Sequence, residues 1–348
     1  MKAKCAGLAV LFLVACGGHA QTAKESRLNV AQFGLVKTSC VWYPGQVRFL
    51  DDDHLVISAP VAYSCDKSNR GKATDTQITV IDLQGHQLAG IRRANVVEMV
   101  AGPVGYVTVC TGDRIELLSR DLQIAASIEI GAKGVSGHCY FRNRLSPSRT
   151  SMAITGPGKA QFRLYQGSSK EPVAELWTSK GQSIAAVAED GFLVCEQKST
   201  RCEVVGPAGT VRSFPLPGFG YYIVGLLTPE RLLVADYAGK HLFAETSAGD
   251  KVAVGDVAKI RPPFIDSRSA EMSAVEPRRI LYRVDGCLLG DYDDCYGVVF
   301  RRFAVFDSET STLVFRHSYA QGADLKISPN GRVVMEQSGP EIHLFRLP

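Results

Sequence analysis

Cysteine is the residue type in this sequence whose number most suggests chemistry. Ten cysteines occur among 348 residues, and thiols can bind zinc, carry out redox reactions or form disulfides. A structural zinc site needs closely spaced ligand pairs, but the sequence contains no Cys-x-x-Cys, and His138 and Cys139 are its only adjacent His and Cys. We therefore expect disulfides, as in exported proteins, rather than a metal site or a catalytic thiol.

Residues 1–20 have the pattern of a signal peptide. Two lysines give a positive start, and the uncharged run 6–15 that follows is too short to span a membrane. Two cleavage sites remain open. The tetrapeptide Leu-Val-Ala-Cys that ends at Cys16 resembles a bacterial lipobox, in which this cysteine is acylated, whereas Gly-His-Ala at 18–20 suits ordinary signal peptidase. Both predict export, either as a membrane-anchored lipoprotein or as a periplasmic or secreted protein.

Removal of the signal segment leaves eight cysteines. Cys195 and Cys202 flank a polar segment and adjoin apolar runs, which predicts a β-hairpin with the two sulfurs opposite one another. Cys287 and Cys295 likewise enclose a short segment, and the other four cysteines pair with their nearest neighbours. Other connectivities stay open beyond the local pairs. The predicted disulfides are Cys195–Cys202, Cys287–Cys295, Cys110–Cys139 and Cys40–Cys65.

Four aspartates lie in or just before the segment that Cys287 and Cys295 enclose. They are Asp285, Asp291, Asp293 and Asp294. Calcium binds several carboxylate oxygens, and a cross-linked loop would hold them in place, but the spacing differs from that of an EF-hand. We expect a hairpin with a solvated acidic tip, with a calcium site or a partner-binding loop as alternatives, and no other cofactor.

No catalytic motif accompanies these residues. The sequence lacks a Gly-x-Ser-x-Gly elbow, a Walker loop, a dinucleotide fingerprint and a His-Glu-x-x-His pair. Its formal net charge of +4 falls by two when the signal segment leaves. The basic pairs 92–93, 278–279 and 301–302 are isolated and are expected on the solvated surface. Nucleic-acid binding would need a basic cluster or stripe, so this class is disfavoured.

A sevenfold repeat must position all of these residues. A strand of alternating apolar residues recurs roughly every 40 residues, the period of propeller repeats. Its equivalent positions are Val80, Leu117, Leu164, Val204, Phe243, Val305 and Leu344. A second apolar strand precedes each of them, at 54–58, 105–109, 151–155, 191–194, 231–234, 279–282 and 331–335. Long amphipathic helices are absent from the pattern. Such units cannot bury both faces alone, so the repeat predicts an all-β, seven-bladed β-propeller with four-stranded antiparallel blades.

The turn Ser328-Pro329-Asn330-Gly331 and the repeat length resemble the WD40-like and YVTN-type propellers common among exported bacterial proteins. The resemblance covers residues 28–348 and concerns pattern, since the Gly-His and Trp-Asp signatures of eukaryotic WD40 repeats are missing. It implies a rigid ring that serves as a scaffold for protein, peptide or glycan partners. Lactonases and hydrolases among seven-bladed propellers imply an alternative, an enzyme that uses the axial channel.

The last repeat ends after its third strand, at the end of the sequence. We predict that residues 28–36 supply the missing outer strand and close the ring. The expected organisation is a signal peptide at 1–20, a linker at 21–27 and a propeller at 28–348. The function expected from these observations is that of a monomeric, non-catalytic binding scaffold in the cell envelope, which contacts the membrane only through a lipid on Cys16. An assembly component of an envelope complex is a third interpretation.

Overall fold

The computed structural model of the chain contains seven four-stranded antiparallel sheets in the residues that it describes. Each sheet forms one blade of a β-propeller, and the first strands of neighbouring blades contact one another around the axis. The prediction of an all-β, seven-bladed propeller is therefore confirmed. The described residues are 23–35, 45–61, 74–112, 114–129, 144–155, 161–196, 201–215, 221–236, 241–256, 267–276, 278–287 and 299–348.

The strands follow one another regularly from blade to blade. Blades 1 and 2 consist of β2 (Gln46–Phe49), β3 (His54–Pro60), β4 (Thr74–Asp82), β5 (Gln87–Val96), β6 (Glu98–Ala101), β7 (Val107–Cys110), β8 (Arg114–Leu118) and β9 (Ile124–Glu129). Blades 3 and 4 consist of β10 (Arg144–Leu145), β11 (Ser151–Thr155), β12 (Gln161–Gln166), β13 (Ala174–Trp177), β14 (Gln182–Val187), β15 (Phe192–Glu196), β16 (Arg201–Gly206) and β17 (Gly209–Pro215). Blades 5 and 6 consist of β18 (Tyr221–Thr228), β19 (Arg231–Asp236), β20 (His241–Thr246), β21 (Lys251–Asp256), β22 (Ser267–Met272), β23 (Arg279–Cys287), β24 (Val299–Asp307) and β25 (Leu313–Ser318). Blade 7 consists of β26 (Asp324–Ile327), β27 (Val333–Ser338), β28 (Glu341–Arg346) and β1 (Lys24–Asn29).

The hydrophobic core lies between the blades. Each cluster of buried apolar side chains joins two neighbouring sheets; Ile78 and Val80 of blade 1, for example, belong to the same cluster as Met99 and Val109 of blade 2. Second strands are buried on both faces because each blade is covered on two sides, and β7 is buried at every position. This explains why the second strands are nearly continuous apolar runs in the sequence.

The ring is closed by the strand Lys24–Asn29, which pairs antiparallel with β28 from Lys24 opposite Arg346 to Asn29 opposite Glu341. The closing strand was predicted at 28–36, and this position was wrong, since the observed strand begins within the predicted linker 21–27. The apolar residues that suggested a strand belong instead to the core. Residues 31–33 form a 3-10 helix, and Val30, Phe33 and Leu35 are buried in the core between blades 7 and 1.

The two ends of the propeller axis differ. We call the end where first strands turn into second strands the turn face, and the opposite end the connection face. Consecutive strands are antiparallel, so second-to-third connections and links between blades lie on the connection face. The five longest stretches between consecutive strands all join strand ends of the connection face: 30–45, 61–73, 130–143, 257–266 and 288–298.

The turn face consists of short turns that bond to one another. The Gly105 amide donates to the Leu50 carbonyl at 2.9 Å, which joins blades 2 and 1. The Asn330 amide donates to the Asp52 carboxylate at 2.7 Å, which joins blades 7 and 1. The described structure thus has one face of short turns that bond to one another and one face at which the longest stretches between strands start and end. No helix in the described part of the chain is long and apolar enough to cross a membrane.

Candidate functional site

The first strands of the seven blades surround an axial channel that contains a cavity of about 610 Å³. Every blade contributes to its wall, and the lining residues lie mainly toward the turn-face ends of these strands. This volume is within the range of small-molecule sites. The channel is therefore the site that the propeller itself creates.

One side of the cavity is apolar. Blades 4 and 5 line it with Ala185, Ala186, Val187, Val224, Gly225 and Leu226. Ala185 and Val224 are partly exposed, whereas Ala186, Val187 and Leu226 are at most 8% exposed and belong to the core between the blades. This alternation is expected for strands with both faces occupied.

The opposite side carries ion pairs between blades. Arg48 of blade 1 contacts the Asp324 carboxylate at 2.6 Å, and Lys326 contacts Asp324 at 3.1 Å and Glu271 of blade 6 at 3.5 Å. Burial would raise the pKa of Asp324, but the nearby charges of Lys326 and Arg48 lower it below its ordinary value. Asp324 is thus held ionised between two cations, and Glu271 shares one of them.

Glu98, the first residue of β6, lines the same cavity without such a partner. Its Oε2 atom is shielded from solvent and accepts no hydrogen bond from the described residues. Burial raises the pKa of Glu98, and the charge of Arg48 opposes this shift only in part. A buried acceptor left without a donor costs about 1–3 kcal/mol. Glu98 is therefore the carboxylate of the cavity lining that has an unsatisfied acceptor among the described residues.

Arg149 lines the turn-face end of the cavity. Its Nη2 donates to the Gly102 carbonyl at 2.9 Å, while its buried Nε has no hydrogen-bond partner among the described residues. Burial lowers the pKa of Arg149, and the carboxylates of Glu271 and Asp52 counteract the shift. A guanidinium remains charged under all ordinary conditions.

The backbone of Arg149 is in the left-handed region, with φ of 56°. Its turn has the same construction as the Ser-Pro-Asn-Gly turn of blade 7, since the amide of the fourth residue donates to the carbonyl of the first in both, at 2.8 Å from Arg149 to Ser146 and 2.9 Å from Gly331 to Ser328. Gly331 has φ of 73° at the equivalent position, where glycine avoids the strain that a side chain causes. Blade 3 places an arginine where the turn favours glycine.

Arg278 crosses the axis at the turn face. Its Nη1 donates to the Pro147 carbonyl of blade 3 at 2.8 Å and to the Ala274 carbonyl of its own blade at 2.5 Å. Its Nε donates to the Leu227 carbonyl of blade 5. Blades 3 and 6 are not neighbours in the ring, so this side chain spans the channel beside the cavity and braces its turn-face end.

The sequence-based expectation for Arg278 was therefore wrong. The pair 278–279 was assigned to the solvated surface, but Arg278 is only 4% exposed. Backbone carbonyls at the ends of first strands have no sheet partner there, and a guanidinium can donate to several of them at once. Nothing in an isolated Arg-Arg pair shows that carbonyls of two other blades will surround it.

The structure contains the predicted disulfide between Cys195 and Cys202, whose Cα atoms are 4.3 Å apart and which are opposite one another in β15 and β16. Cys110 is buried at the end of β7, and Cys287 ends β23, although its side chain is not described. The described residues do not include Cys16, Cys40, Cys65, Cys139 or Cys295. The three other predicted pairs therefore stay predictions. The described cysteines Cys110, Cys195, Cys202 and Cys287 lie at or next to strand ends of the connection face.

The predicted acidic loop is described only at Asp285, since Asp291, Asp293 and Asp294 lie outside the described residues. Asp285 belongs to β23 and is 1% exposed. Its Oδ2 accepts from Arg283 at 2.9 Å, and the Tyr319 hydroxyl donates to its Oδ1. Burial, followed by the hydrogen bond to Asp285, raises the pKa of Tyr319. Asp285 is thus part of a buried network instead of a solvated tip.

No three His, Cys, Asp or Glu side chains come close enough to hold a metal ion in the part of the chain that the structure describes. The calcium alternative concerned mainly the three aspartates that are not described, so it stays a prediction. His54, His86, His241 and His343 bond to nearby acids, as His54 does with Asp51 at 2.6 Å, and His317 packs against the rings of Phe315 and Phe345. These contacts lie in turns and on outer strands rather than at the channel.

Comparison with known proteins gives the fold and no family. No family model matches the sequence, and no curated protein matches it. Among solved structures, virginiamycin B lyase from Staphylococcus aureus aligns with a TM-score of 0.51 and 12% identity, over 93% of this chain and 99% of that one. The Pan2 WD40 domain of Neurospora crassa aligns with a TM-score of 0.50 and 11% identity, over 95% and 98%.

The Cps50 (Swd1) β-propeller domain of Myceliophteria thermophila aligns with a TM-score of 0.51 and 13% identity, over 93% of this chain and 100% of that one. Identities of this size show similarity of fold alone, since unrelated functions share the propeller architecture. The three structures are a lyase, a WD40 domain and a β-propeller domain. The WD40-like part of the predicted resemblance is thus supported, and the YVTN-type relationship stays a prediction.

Proposed function

We propose that the protein is a non-catalytic binding scaffold of the cell envelope that presents its connection face to a protein, peptide or glycan partner. The observation that carries this proposal is the difference between the two faces. The turn face consists of short turns bonded to one another, whereas the five longest stretches between strands start and end at the connection face. Long chain segments on a rigid support are where binding residues concentrate in proteins.

The chemistry of the channel supports binding over catalysis. Three carboxylates occur around it, but Asp324 and Glu271 are ion-paired with Arg48 and Lys326. Glu98 alone is free of such pairs among the described residues. Hydrolysis of a stable bond needs an acid and a base, a nucleophile and a base, or a metal ion, and the described part of the channel offers one such group.

A second candidate function is a hydrolase or lactonase that acts in the axial channel. The raised pKa of Glu98 favours it, because general acids and bases are often buried carboxyls of this kind. The two candidates differ in one result, since an enzyme converts a bound ligand and a scaffold returns it unchanged.

The proposal includes export, which the signal-peptide pattern of residues 1–20 predicts. The first residue of β1, Lys24, is opposite Arg346 at the turn-face end of blade 7. A lipid on Cys16 would therefore tether the protein from its turn face, and the connection face would point away from the membrane. Ordinary cleavage after residue 20 would release the same scaffold into the periplasm or outside the cell.

Site-specific photo-crosslinking in intact cells tests the proposal. A photoreactive residue replaces Glu196 or Glu341, which are exposed at the connection face, or Asp121 or Glu309, which are exposed at the turn face. We expect crosslinked partners from the first two positions and none from the matched pair. Crosslinks that form only from the turn face would contradict the proposal.

A further inference from the structure

We infer that the axial channel binds a short zwitterionic peptide with apolar side chains, with its ammonium group at Glu98, its carboxylate at Arg149 and its side chains on the wall formed by Ala185 and Val224. This inference rests on the proposed binding function and adds a ligand class for the channel. It starts from the two ionic groups of the cavity wall that keep a buried atom without a hydrogen-bond partner among the described residues, Glu98 Oε2 and Arg149 Nε.

The charged side chains that line the cavity, together with their ion-pair partners, comprise equal numbers of cations and carboxylates. The cations are Arg48, Arg149 and Lys326, and the carboxylates are Glu98 and Glu271 of the lining and Asp324, which pairs with Arg48 and Lys326. Arg278, which lies beside the cavity, has its own carboxylate in Glu276 at 3.4 Å. A ligand with a single charge would leave one uncompensated charge in a partly buried site, which is costly. A zwitterion leaves the balance unchanged and supplies a donor for the carboxylate and an acceptor for the guanidinium.

The distance between the two groups sets the length of the ligand. Glu98 begins β6, and Arg149 binds the carbonyl of Gly102 just beyond the end of the same strand. Four residues of strand rise correspond to about 13 Å. An extended peptide covers about 3.3–3.6 Å per residue, so two to four residues fit once the reach of the two side chains is included.

The strained backbone of Arg149 agrees with a role for its side chain. The residue has a positive φ of 56° at a turn position where blade 7 has Gly331. Strain of this kind concentrates at binding and catalytic sites, because a residue without such a role would be replaced by one that fits the backbone. The apolar wall on blades 4 and 5 lines the same cavity as both groups and would bury the hydrocarbon side chains of the peptide.

Calorimetric titration of the full chain with trileucine tests the inference. We expect binding that weakens about tenfold or more when the peptide is N-acetylated, and by a similar factor when its carboxylate is amidated, because each change removes one charge-assisted hydrogen bond. Glu98→Gln should reproduce the first loss and make the protein indifferent to acetylation. Glu309→Gln, an exposed carboxylate of the turn face, serves as the matched control and should bind normally.

The outcomes separate this inference from the proposed function. Absence of trileucine binding, or equal binding of the capped peptides, overturns the inference while the crosslinks from the connection face still support a scaffold. Recovery of leucine or dileucine by mass spectrometry overturns the non-catalytic function instead. If trileucine is recovered intact and both acetylation and amidation weaken its binding, the result supports the peptide site and the non-catalytic function.

Discussion

At the scale of single residues, the channel contains charged side chains that stabilise the fold and one, Glu98, that destabilises it. Asp324 lies between two cations, and its pKa is lowered. Glu98 has no hydrogen-bond donor at Oε2 within the described structure, and its pKa is raised. A residue that costs stability and is kept in a cavity is typical of a functional site.

Glu98→Gln should therefore raise the thermal stability of the protein at neutral pH. Burial raises the folded-state pKa of Glu98, so its ionised form opposes folding above that pKa, and protonation at lower pH removes the cost. The groups that face it across the channel are Arg48, Arg149, Lys326, Glu271 and Asp324. We expect a gain of about 1 kcal/mol at pH 7 that shrinks toward acid pH, measured as melting temperature against pH.

Asp324→Asn is the matched control with the opposite sign. The lowered pKa of Asp324 means that its contribution is present above the unfolded-state pKa and is lost as pH falls through the folded-state pKa. The variant should thus melt below the wild type at neutral pH and approach it in acid. A Glu98→Gln variant that also melts lower at neutral pH would contradict our assignment of Glu98.

Arg278→Lys should lower the free energy of unfolding by about 2–4 kcal/mol. A single ammonium group cannot reproduce the fork that reaches Leu227, Pro147 and Ala274 of three blades, so buried carbonyls lose their donor. Urea unfolding measures the change. Arg279→Lys is the control. The Arg279 guanidinium donates to the Pro348 carbonyl in an exposed contact, so this substitution should change the free energy of unfolding little. Equal losses in both variants would show that Arg278 does not brace the axis.

At the scale of elements, the sequence predicts the second and third strands well and the first and fourth strands poorly. Second strands are buried on both faces, so β3 stands out as an apolar run, and third strands such as β28 alternate between buried and more exposed residues. First strands vary in length from two residues in β10 to eight in β18. They also carry Arg48, Glu98 and Lys326, whose charges mask the strand pattern, because a channel wall needs no apolar alternation. The candidate site lies on these first strands, so it could not be predicted from the repeat.

The closing strand illustrates the same limit. Residues 28–36 look more like a strand than residues 24–29, because they are more apolar. An outer strand needs few buried side chains, and β1 is mostly exposed. The apolar residues after it fill the gap between blades 7 and 1 instead. Composition alone cannot distinguish an exposed edge strand from a linker, since the backbone ladder provides most of its stability.

Removal of β1 should destabilise the ring strongly. A mature chain that begins at Val30 lacks the strand that pairs with β28, whereas a chain that begins at Lys24 keeps all six residues of it. Loss of the ladder, at about 0.5–1.5 kcal/mol per hydrogen bond, should cost at least about 3 kcal/mol. Thermal unfolding of the two chains measures the difference. Equal melting temperatures would show that blade 7 is stable with three strands.

At the scale of the whole molecule, the two faces of the ring define an orientation. The chain enters the ring at the turn face, through Lys24 beside Arg346. The stretches that contain most of the predicted disulfides start and end at the opposite face, and the Cys195–Cys202 disulfide lies there as well. Disulfides at the face with the long connections would limit the freedom of those segments in the unfolded chain and would help to present them to a partner.

A lipid on Cys16 should hold the turn face against the membrane. The tether from Cys16 to Lys24 can extend by less than about 30 Å, at 3.3–3.6 Å per residue. Trp177, 64% exposed, ends β13 at the connection face and should keep its fluorescence when the lipidated protein binds vesicles of brominated phospholipid. A tryptophan placed at the turn face by Glu309→Trp should add emission that the bromines quench. Quenching of the wild-type emission would place the connection face at the membrane, and failure of the intact protein to bind vesicles would favour ordinary cleavage after residue 20. Quenching at the turn face alone would show that the connection face points away from the membrane, because the chain enters the propeller at the turn face.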